Sequence, residues 1–181
     1  MAKRYSVISC ILILSVIPLA YGIKEGYSPD VKKSAGNTVR VEKIYDGDTL
    51  GAFVDGHFEK IRLIGIDAPE LDQRPWGKKA KKCMETLTAA ADSMISLEYD
   101  LEKRDKYGRI LAYIWTQDGK MMNEEMLKKG CAVLFTIPPN IKYVERFRAA
   151  QKKAHELEAG IWGENGLRER PFDYRKEHPR R

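Results

Sequence analysis

Histidine and cysteine are scarce in this 181-residue chain, with three of each. His57, His155 and His178 are scattered and lie in none of the motifs described below, which argues against a histidine general base and against a Ser-His-Asp hydrolase. Cys10, Cys83 and Cys131 offer no pair at zinc-binding spacing. No glycine-rich G-x-x-x-x-G-K loop is present to cradle a phosphate, and no segment repeats. Among hydrolytic chemistries, these absences leave hydrolysis supported by a carboxylate-bound metal.

Long apolar runs are also missing, apart from one near the start. Lys3 and Arg4 precede an apolar stretch from Val7 to Leu19, broken only by Ser9, Ser15 and Pro18, and the small residues Ala20 and Gly22 follow. This is the layout of a secretory signal peptide over residues 1–22, expected to be cut after Gly22, with a cut after Ala20 nearly as acceptable. An uncleaved membrane anchor is the rival reading; the run is short for a span and Pro18 sits near its end, which favours removal. Val7-Ile8-Ser9-Cys10 looks like a lipoprotein box, but the apolar run continues past Cys10, against lipidation. The protein is therefore expected to be exported, either secreted or periplasmic.

Setting Lys3 and Arg4 aside leaves 30 basic against 26 acidic residues, a formal charge of +4, which suits a polyanionic partner without demanding one. Cys83 and Cys131 remain after processing. An oxidising compartment permits a disulfide between them, and a buried free thiol at Cys83 on a helical apolar face is the equal alternative.

Residues 23–36 mix Gly, Ser, Pro and charge without an apolar period and read as a linker, so the folded domain is expected over residues 37–163. Three runs of β-forming residues, VRVEKIYD, TLGAFVDG and FEKIRLIGI, are separated by Asp46-Gly47 and Asp55-Gly56, a three-stranded meander. Ala80, Cys83, Met84, Leu87, Ala90 and Ala91 recur at helical spacing, with Lys78, Lys79, Lys81 and Lys82 on the other face. ISLEYDL and RILAYIWT read as two further strands, and Met122, Met126 and Leu127 mark a short helix ending at Gly130. Tyr143, Phe147, Ala150, Ala154 and Leu157 form a final apolar stripe that stops before Gly160. The sum is an α+β domain of five strands and three helices whose sheet could close into a small barrel. Residues 164–181 are charged and aperiodic, and a basic, disordered tail is expected there.

Three carboxylates stand at strand ends beside turns: Asp48 in Tyr45-Asp46-Gly47-Asp48-Thr49, and Asp67 and Glu70 in Ile66-Asp67-Ala68-Pro69-Glu70. Either motif alone is ordinary turn chemistry. If the second and third strands are antiparallel neighbours, however, the start of one (Asp48) lies beside the end of the other (Asp67). Adjacent carboxylates repel unless a cation or a shared proton intervenes. A hard divalent ion with oxygen ligands resolves this, and the Ala68 carbonyl could add a ligand. Arg62 interrupts an otherwise apolar strand and Arg109 follows Gly108 at the start of another. A structural arginine leaving a strand edge is common. Beside the acids and a divalent ion, though, the two guanidiniums would leave a net positive site suited to the charge that builds on an attacked phosphodiester.

The ordered set Asp46-Gly47-Asp48-Thr49, Arg62, Asp67-Ala68-Pro69-Glu70 and Asp105-Lys106-Tyr107-Gly108-Arg109 resembles the staphylococcal nuclease family, and Ala159-Gly160-Ile161-Trp162 is similar to its C-terminal helix end. The likeness spans residues 38–163. The resemblance implies an oligonucleotide-binding (OB) fold, a five-stranded barrel with three helices. It also implies Ca²⁺-dependent hydrolysis of DNA and RNA to 3′-phosphates; the oxygen ligands alone would allow Mg²⁺ or Mn²⁺. By position, Asp48 and Asp67 match the family's metal carboxylates and Ala68 the residue ligating through its carbonyl. Glu70 matches the carboxylate that orients or deprotonates the attacking water, and Arg62 and Arg109 match the phosphate-contacting arginines. Lys106 and Tyr107 match residues that touch the nucleotide, with Asp46 and Thr49 in supporting positions.

Two departures stand out. Ala68 replaces a threonine of the family's best-known member, with little loss expected for a backbone contact. The segment CAVLFTIPP (Cys131 to Pro139) lacks the tyrosines that line the nucleotide pocket there, Phe135 being its only aromatic. The competing class is a catalytically weak nucleic-acid-binding module of the same fold. Such modules typically lose their acids and arginines, whereas Asp48, Asp67, Glu70, Arg62 and Arg109 are all present. A binding protein for small anions would use the arginines but gain nothing from three carboxylates. Nucleic acid is the expected partner, and a monomer without a stable protein partner the expected state.

Overall fold

The computed structural model describes residues 38–179. The expected signal peptide and linker, together with Asn37, lie outside the described residues. The chain forms β1 (Thr38–Ile44), β2 (Thr49–Val54), β3 (His57–Leu63), the short β4 (Ile66–Asp67), α1 (Trp76–Ala90), β5 (Met94–Glu98), β6 (Ile110–Thr116), α2 (Met122–Lys128), the short β7 (Val133–Leu134), α3 (Val144–Glu156), a 3₁₀ turn (Gly160–Trp162) and α4 (Pro171–Glu177).

Five of the strands close a barrel in the order β1-β2-β3-β6-β5, with β5 returning to β1 through Val39 opposite Ile95. All neighbours are antiparallel except β3 and β6, which run parallel with Arg62 opposite Leu111. The α+β barrel expected from the sequence is therefore the fold. Period-two alternation explains which residues fill it. Leu50, Ala52 and Val54 of β2 point inward, as do Ile61 and Leu63 of β3, Ile95 and Leu97 of β5, and Ile110, Ala112 and Ile114 of β6. Burying each of the larger aliphatic side chains contributes roughly 1.5–3 kcal/mol.

The helices cap this core along the stripes legible in the sequence. Ala80 and Met84 of α1 are buried while Lys78, Lys79 and Lys82 stay in solvent. Met122, Met126 and Leu127 bury α2, and Phe147, Ala150 and Ala154 bury α3. Leu157 departs from its expected place in that stripe: α3 ends at Glu156, and Leu157 is left 66% exposed. Buried Asn123 fastens α2 to the barrel. Its Oδ1 accepts the Ile114 N–H at 2.9 Å, and its Nδ2 donates to the carbonyls of Ile64 (2.8 Å) and Ala112 (3.3 Å). Cys83 and Cys131 are joined as a disulfide, Cα atoms 6.5 Å apart, which ties α1 to the chain leaving α2 and resolves the two readings left open above.

Two features near the C-terminal ends of β3 and the tail differ from expectation. The single run FEKIRLIGI breaks at Gly65, whose φ of +80° is left-handed backbone that glycine adopts without a Cβ penalty. The turn sends Ile66 and Asp67 off the barrel to pair with Leu134 and Val133 of β7. The expected disordered tail instead holds α4. Arg170-Pro171-Phe172-Asp173 starts it, with proline at its first position and an acid in its first turn, and Arg175 and Lys176 occupy its last turn. Among the described residues no helix is long and apolar enough to cross a membrane.

Candidate active site

The β1–β2 turn builds the first half of the site. Asp46 Oδ1 accepts the Asp48 N–H at 3.0 Å, the local side-chain-to-backbone turn that aspartate favours, so the segment bends tightly before β2. Burial, and then the negative charge of Asp48, push the Asp46 carboxyl up to about 6. The Asp48 carbonyl accepts the Leu63 N–H at 2.9 Å, in line with the register that sets Thr49 opposite Arg62. This is how the start of β2 comes to lie beside the end of β3.

The second half is the β4 exit. Asp48 Oδ2 accepts the Ala68 N–H at 2.6 Å and Oδ1 accepts the Thr49 hydroxyl at 3.1 Å, so the Asp48 carboxylate spans both halves. Asp67 is 0% exposed. Arg62 joins the two acids: its Nη2 lies 3.2 Å from Asp48 Oδ2 and 3.1 Å from Asp67 Oδ1, while Nη1 donates to the Leu63 carbonyl at 2.9 Å. One guanidinium nitrogen thus touches both carboxylates, and the convergence expected from the meander is present. Burial raises the Asp67 carboxyl above the usual carboxylate range, against the opposing pull of Arg175 and Arg62.

Glu70 stands on the loop between β4 and α1. Gln73 closes this loop, its Oε1 accepting the Glu70 N–H at 2.9 Å while its own N–H donates to the Glu70 carbonyl at 2.9 Å. Gly77 of α1 passes so close that a Cβ there would stand 1.8 Å from the Glu70 carbonyl oxygen. Only glycine lets α1 approach and hold the loop in this position.

Arg109 is placed differently from the acids. It precedes Ile110, which pairs with Ile61, so it lies two residues along β6 from the partner of Arg62, about 7 Å at strand rise. Its Nε donates to Asp105 Oδ2 at 2.7 Å, and Asp105 Oδ1 also accepts the N–H groups of Tyr107 and Arg109. The structure therefore fastens Arg109 to its own turn and does not bring it into hydrogen-bond contact with Asp48, Asp67 or Glu70. Tyr107 at the tip of that turn is 72% exposed, with the Lys106 ammonium 5.1 Å above its ring.

Arg175 of α4 is the residue that the sequence reading missed. Nη1 donates to Asp67 Oδ1 at 3.0 Å and to Glu70 Oε1 at 2.9 Å, and Nη2 donates to Asp67 Oδ2 at 2.9 Å. Although burial pulls it down, these bonds hold the guanidinium above its ordinary range. The available signal was the proline, acid and base pattern of residues 171–176, which marks a short helix. Nothing in that pattern says where the helix docks.

Asp48, Asp67 and Glu70 are hard oxygen donors, and two of them are buried and drawn to one cation, so the donor chemistry fits a hard divalent ion. In the observed arrangement their oxygens are turned onto guanidiniums and the Ala68 amide. Consistently, among the described residues no group of three His, Cys, Asp or Glu side chains is disposed to hold a metal.

Comparison with known proteins agrees with this geometry. The family described as staphylococcal nuclease homologue matches residues 60–164. A thermonuclease of Staphylococcus intermedius is 37% identical over 160 residues, covering 84% of this chain and 94% of that protein. A thermonuclease of Staphylococcus hyicus is 39% identical over 142 residues, 72% of this chain and 82% of the relative. The endonuclease YncB of Bacillus subtilis is 34% identical over 135 residues, 71% of this chain and 63% of the relative. With the closed barrel, the paired aspartates and these relatives in hand, the chain belongs to the staphylococcal nuclease family and is a hydrolase of the nuclease class.

Proposed function

We propose that this nuclease is exported and hydrolyses phosphodiester bonds of DNA and RNA in a Ca²⁺-dependent reaction that leaves 3′-phosphates. The observation carrying the reading is the Arg62 Nη2 atom held 3.2 Å and 3.1 Å from Asp48 and Asp67, which fixes two buried carboxylates on one cation. Asp48, Asp67 and the Ala68 carbonyl would hold the ion. When bound, such an ion lowers the pKa of a water and offsets phosphate charge.

The chain's own groups then have distinct tasks. Glu70, steadied by Gln73 and Gly77, orients the attacking water and accepts its proton. Attack at phosphorus breaks the bond to the 5′ oxygen, so the phosphate stays on the 3′ side and the 5′ oxygen leaves, taking a proton from solvent to become a hydroxyl. Arg62 and Arg109 meet the negative charge that grows on the phosphoryl oxygens. Asp105 takes Arg109 through Nε, which leaves its two Nη groups to contact a phosphate. Lys106 and Tyr107 extend the contact to the nucleotide, the exposed ring offering a stacking face. The Cys83–Cys131 disulfide supports an oxidising, exported setting.

Cleavage of single-stranded DNA and RNA by the purified chain with Ca²⁺, with Mg²⁺ and with a chelator tests this reading. Products bearing 3′-phosphates that require Ca²⁺ are expected. Intact substrate accompanied by salt-sensitive binding would replace it with a nucleic-acid-binding module of the same fold.

A further inference from the structure

Three arginine hydrogen bonds converge on Asp67. Its Oδ1 accepts from both Arg62 (3.1 Å) and Arg175 (3.0 Å), and its Oδ2 accepts a second bond from Arg175 (2.9 Å). A carboxylate oxygen carries two lone pairs, so Oδ1 has none left for another cation. The same Arg175 Nη1 also takes Glu70 Oε1 at 2.9 Å. An ion that ligates Asp67 beside Glu70 and this guanidinium would compete for the same oxygens, at a separation where two cations repel.

The element carrying Arg175 is held lightly. A seven-residue helix is too short to be stable alone, so α4 depends on its docking contacts. Besides Arg175, the contacts among the described residues are Gln73 Nε2 donating to the Glu169 carbonyl at 3.1 Å, the Tyr174 hydroxyl with the Asp72 carboxylate, the buried ring of Pro171, and Phe172 against Phe135 with ring centroids 5.4 Å apart. Phe172 itself remains 39% exposed. The charge balance points the same way. The carboxylates outnumber the two guanidiniums of Arg62 and Arg175 among these contacts, and a divalent ion in place of Arg175 would add one positive charge to the cluster.

We propose that α4 is a displaceable latch: Arg175 seated on Asp67 and Glu70 and a divalent cation bound at the same acids are mutually exclusive states, so cation binding releases the helix. The inference rests on the metal reading of the proposed function and adds to it a competitor encoded in the chain. A site that is latched most of the time shows an apparent affinity reduced by the open fraction. A helix docked nine times in ten therefore weakens cation binding about tenfold.

The test measures Ca²⁺ binding by titration calorimetry in the unaltered protein, in Arg175→Gln and in Lys176→Gln, a control that removes one charge from the same helix but not from the acids. Hydrogen exchange of the α4 amides Tyr174 and His178 is followed with and without Ca²⁺ in the unaltered protein, so that the answer survives if a variant folds poorly. The expected result is binding about tenfold or more tighter in Arg175→Gln, binding near that of the unaltered protein in Lys176→Gln, and faster exchange at α4 when Ca²⁺ is added. Equal or weaker binding in Arg175→Gln, or α4 exchange unchanged or slowed by Ca²⁺, overturns the latch while leaving the metal reading intact. Absence of Ca²⁺ binding in every form overturns both.

Discussion

Arg62→Ala removes the one side chain that, among the described residues, pairs with both buried aspartates. It loses an ion pair to Asp48 at 3.2 Å, a charge-assisted hydrogen bond to Asp67 at 3.1 Å and a hydrogen bond to the Leu63 carbonyl at 2.9 Å. A hydrogen bond to a charged group contributes roughly 1.5–3 kcal/mol and a neutral one about 1. Asp67 keeps Arg175, and Asp48 keeps the Thr49 hydroxyl and the Ala68 N–H, so neither acid is stranded. The expected loss of stability is therefore about 3 kcal/mol, below the roughly 5 kcal/mol upper end for breaking a buried pair outright. The catalytic loss should be separable from it. If Arg62 also stabilises the transition state, kcat falls on the order of 10²-fold or more, as for loss of one oxyanion donor. Arg62→Lys keeps the charge but not the planar fork, and should recover more of the stability than of kcat. Urea unfolding and steady-state cleavage of a defined oligonucleotide, both at a temperature where each variant is folded, give the two numbers. An Arg62→Ala enzyme with kcat within tenfold of the unaltered protein, or with its whole defect in KM, would refute the assignment.

Other expectations follow from neighbouring contacts. Gly77→Ala drives a Cβ into the Glu70 carbonyl and must move the Glu70 loop, so cleavage should drop at least tenfold, as a small misplacement of a catalytic group can cost up to about 10²-fold; unchanged kcat would show that Glu70 is not held from α1. Cys83→Ala with Cys131→Ala reopens a loop of 48 residues in sequence, an entropic cost of about 4 kcal/mol in the chain model, which thermal unfolding would register as roughly 8–16 °C. A melting temperature equal to that of the parent would contradict a structural disulfide. Burial opposes ionisation of Glu124, yet bonds from Arg146 and Lys128 hold its carboxyl below its ordinary value near 4.5. With the folded value depressed, this stabilisation is present above pH 4.5 and is lost as the pH falls through the folded value. Arg146→Gln should consequently lose roughly 1 kcal/mol at pH 7 and progressively less as the pH falls below 4.5. Parallel stability profiles for the two proteins would exclude the linkage.

Much of this was legible from short-range pattern. Alternation in the five strands and the 3.6 period in α1, α2 and α3 specified the strands and the helices that cap them, because each element buries one face; that the sheet closes into a barrel was implied only by the family resemblance. The meeting of Asp48 and Asp67 was legible too, since a meander places the start of one strand beside the end of the next. What escaped prediction depends on long-range contacts. The short pairing of β4 with β7 rests on a turn at Gly65 and on residues far apart in sequence, Ile66 with Leu134 and Asp67 with Val133. Arg109, grouped with the acids by motif, takes Asp105 as its nearest anion because that acid lies in its own turn. Arg175 sits 108 residues from Asp67, on a helix too short and too polar to announce a buried face. Its seat on the acids is a property of the folded surface, which local periodicity does not encode.

The most direct measurement is single-turnover cleavage of a labelled single-stranded oligonucleotide by Glu70→Gln with saturating Ca²⁺, run alongside its binding of the same oligonucleotide. The account predicts a cleavage rate reduced about 10²-fold or more, within the 10²–10⁴ that a positioned proton acceptor supplies, with binding retained. Cleavage at the unaltered rate would contradict it, and would place the hydrolytic chemistry somewhere other than the Asp48, Asp67 and Glu70 cluster.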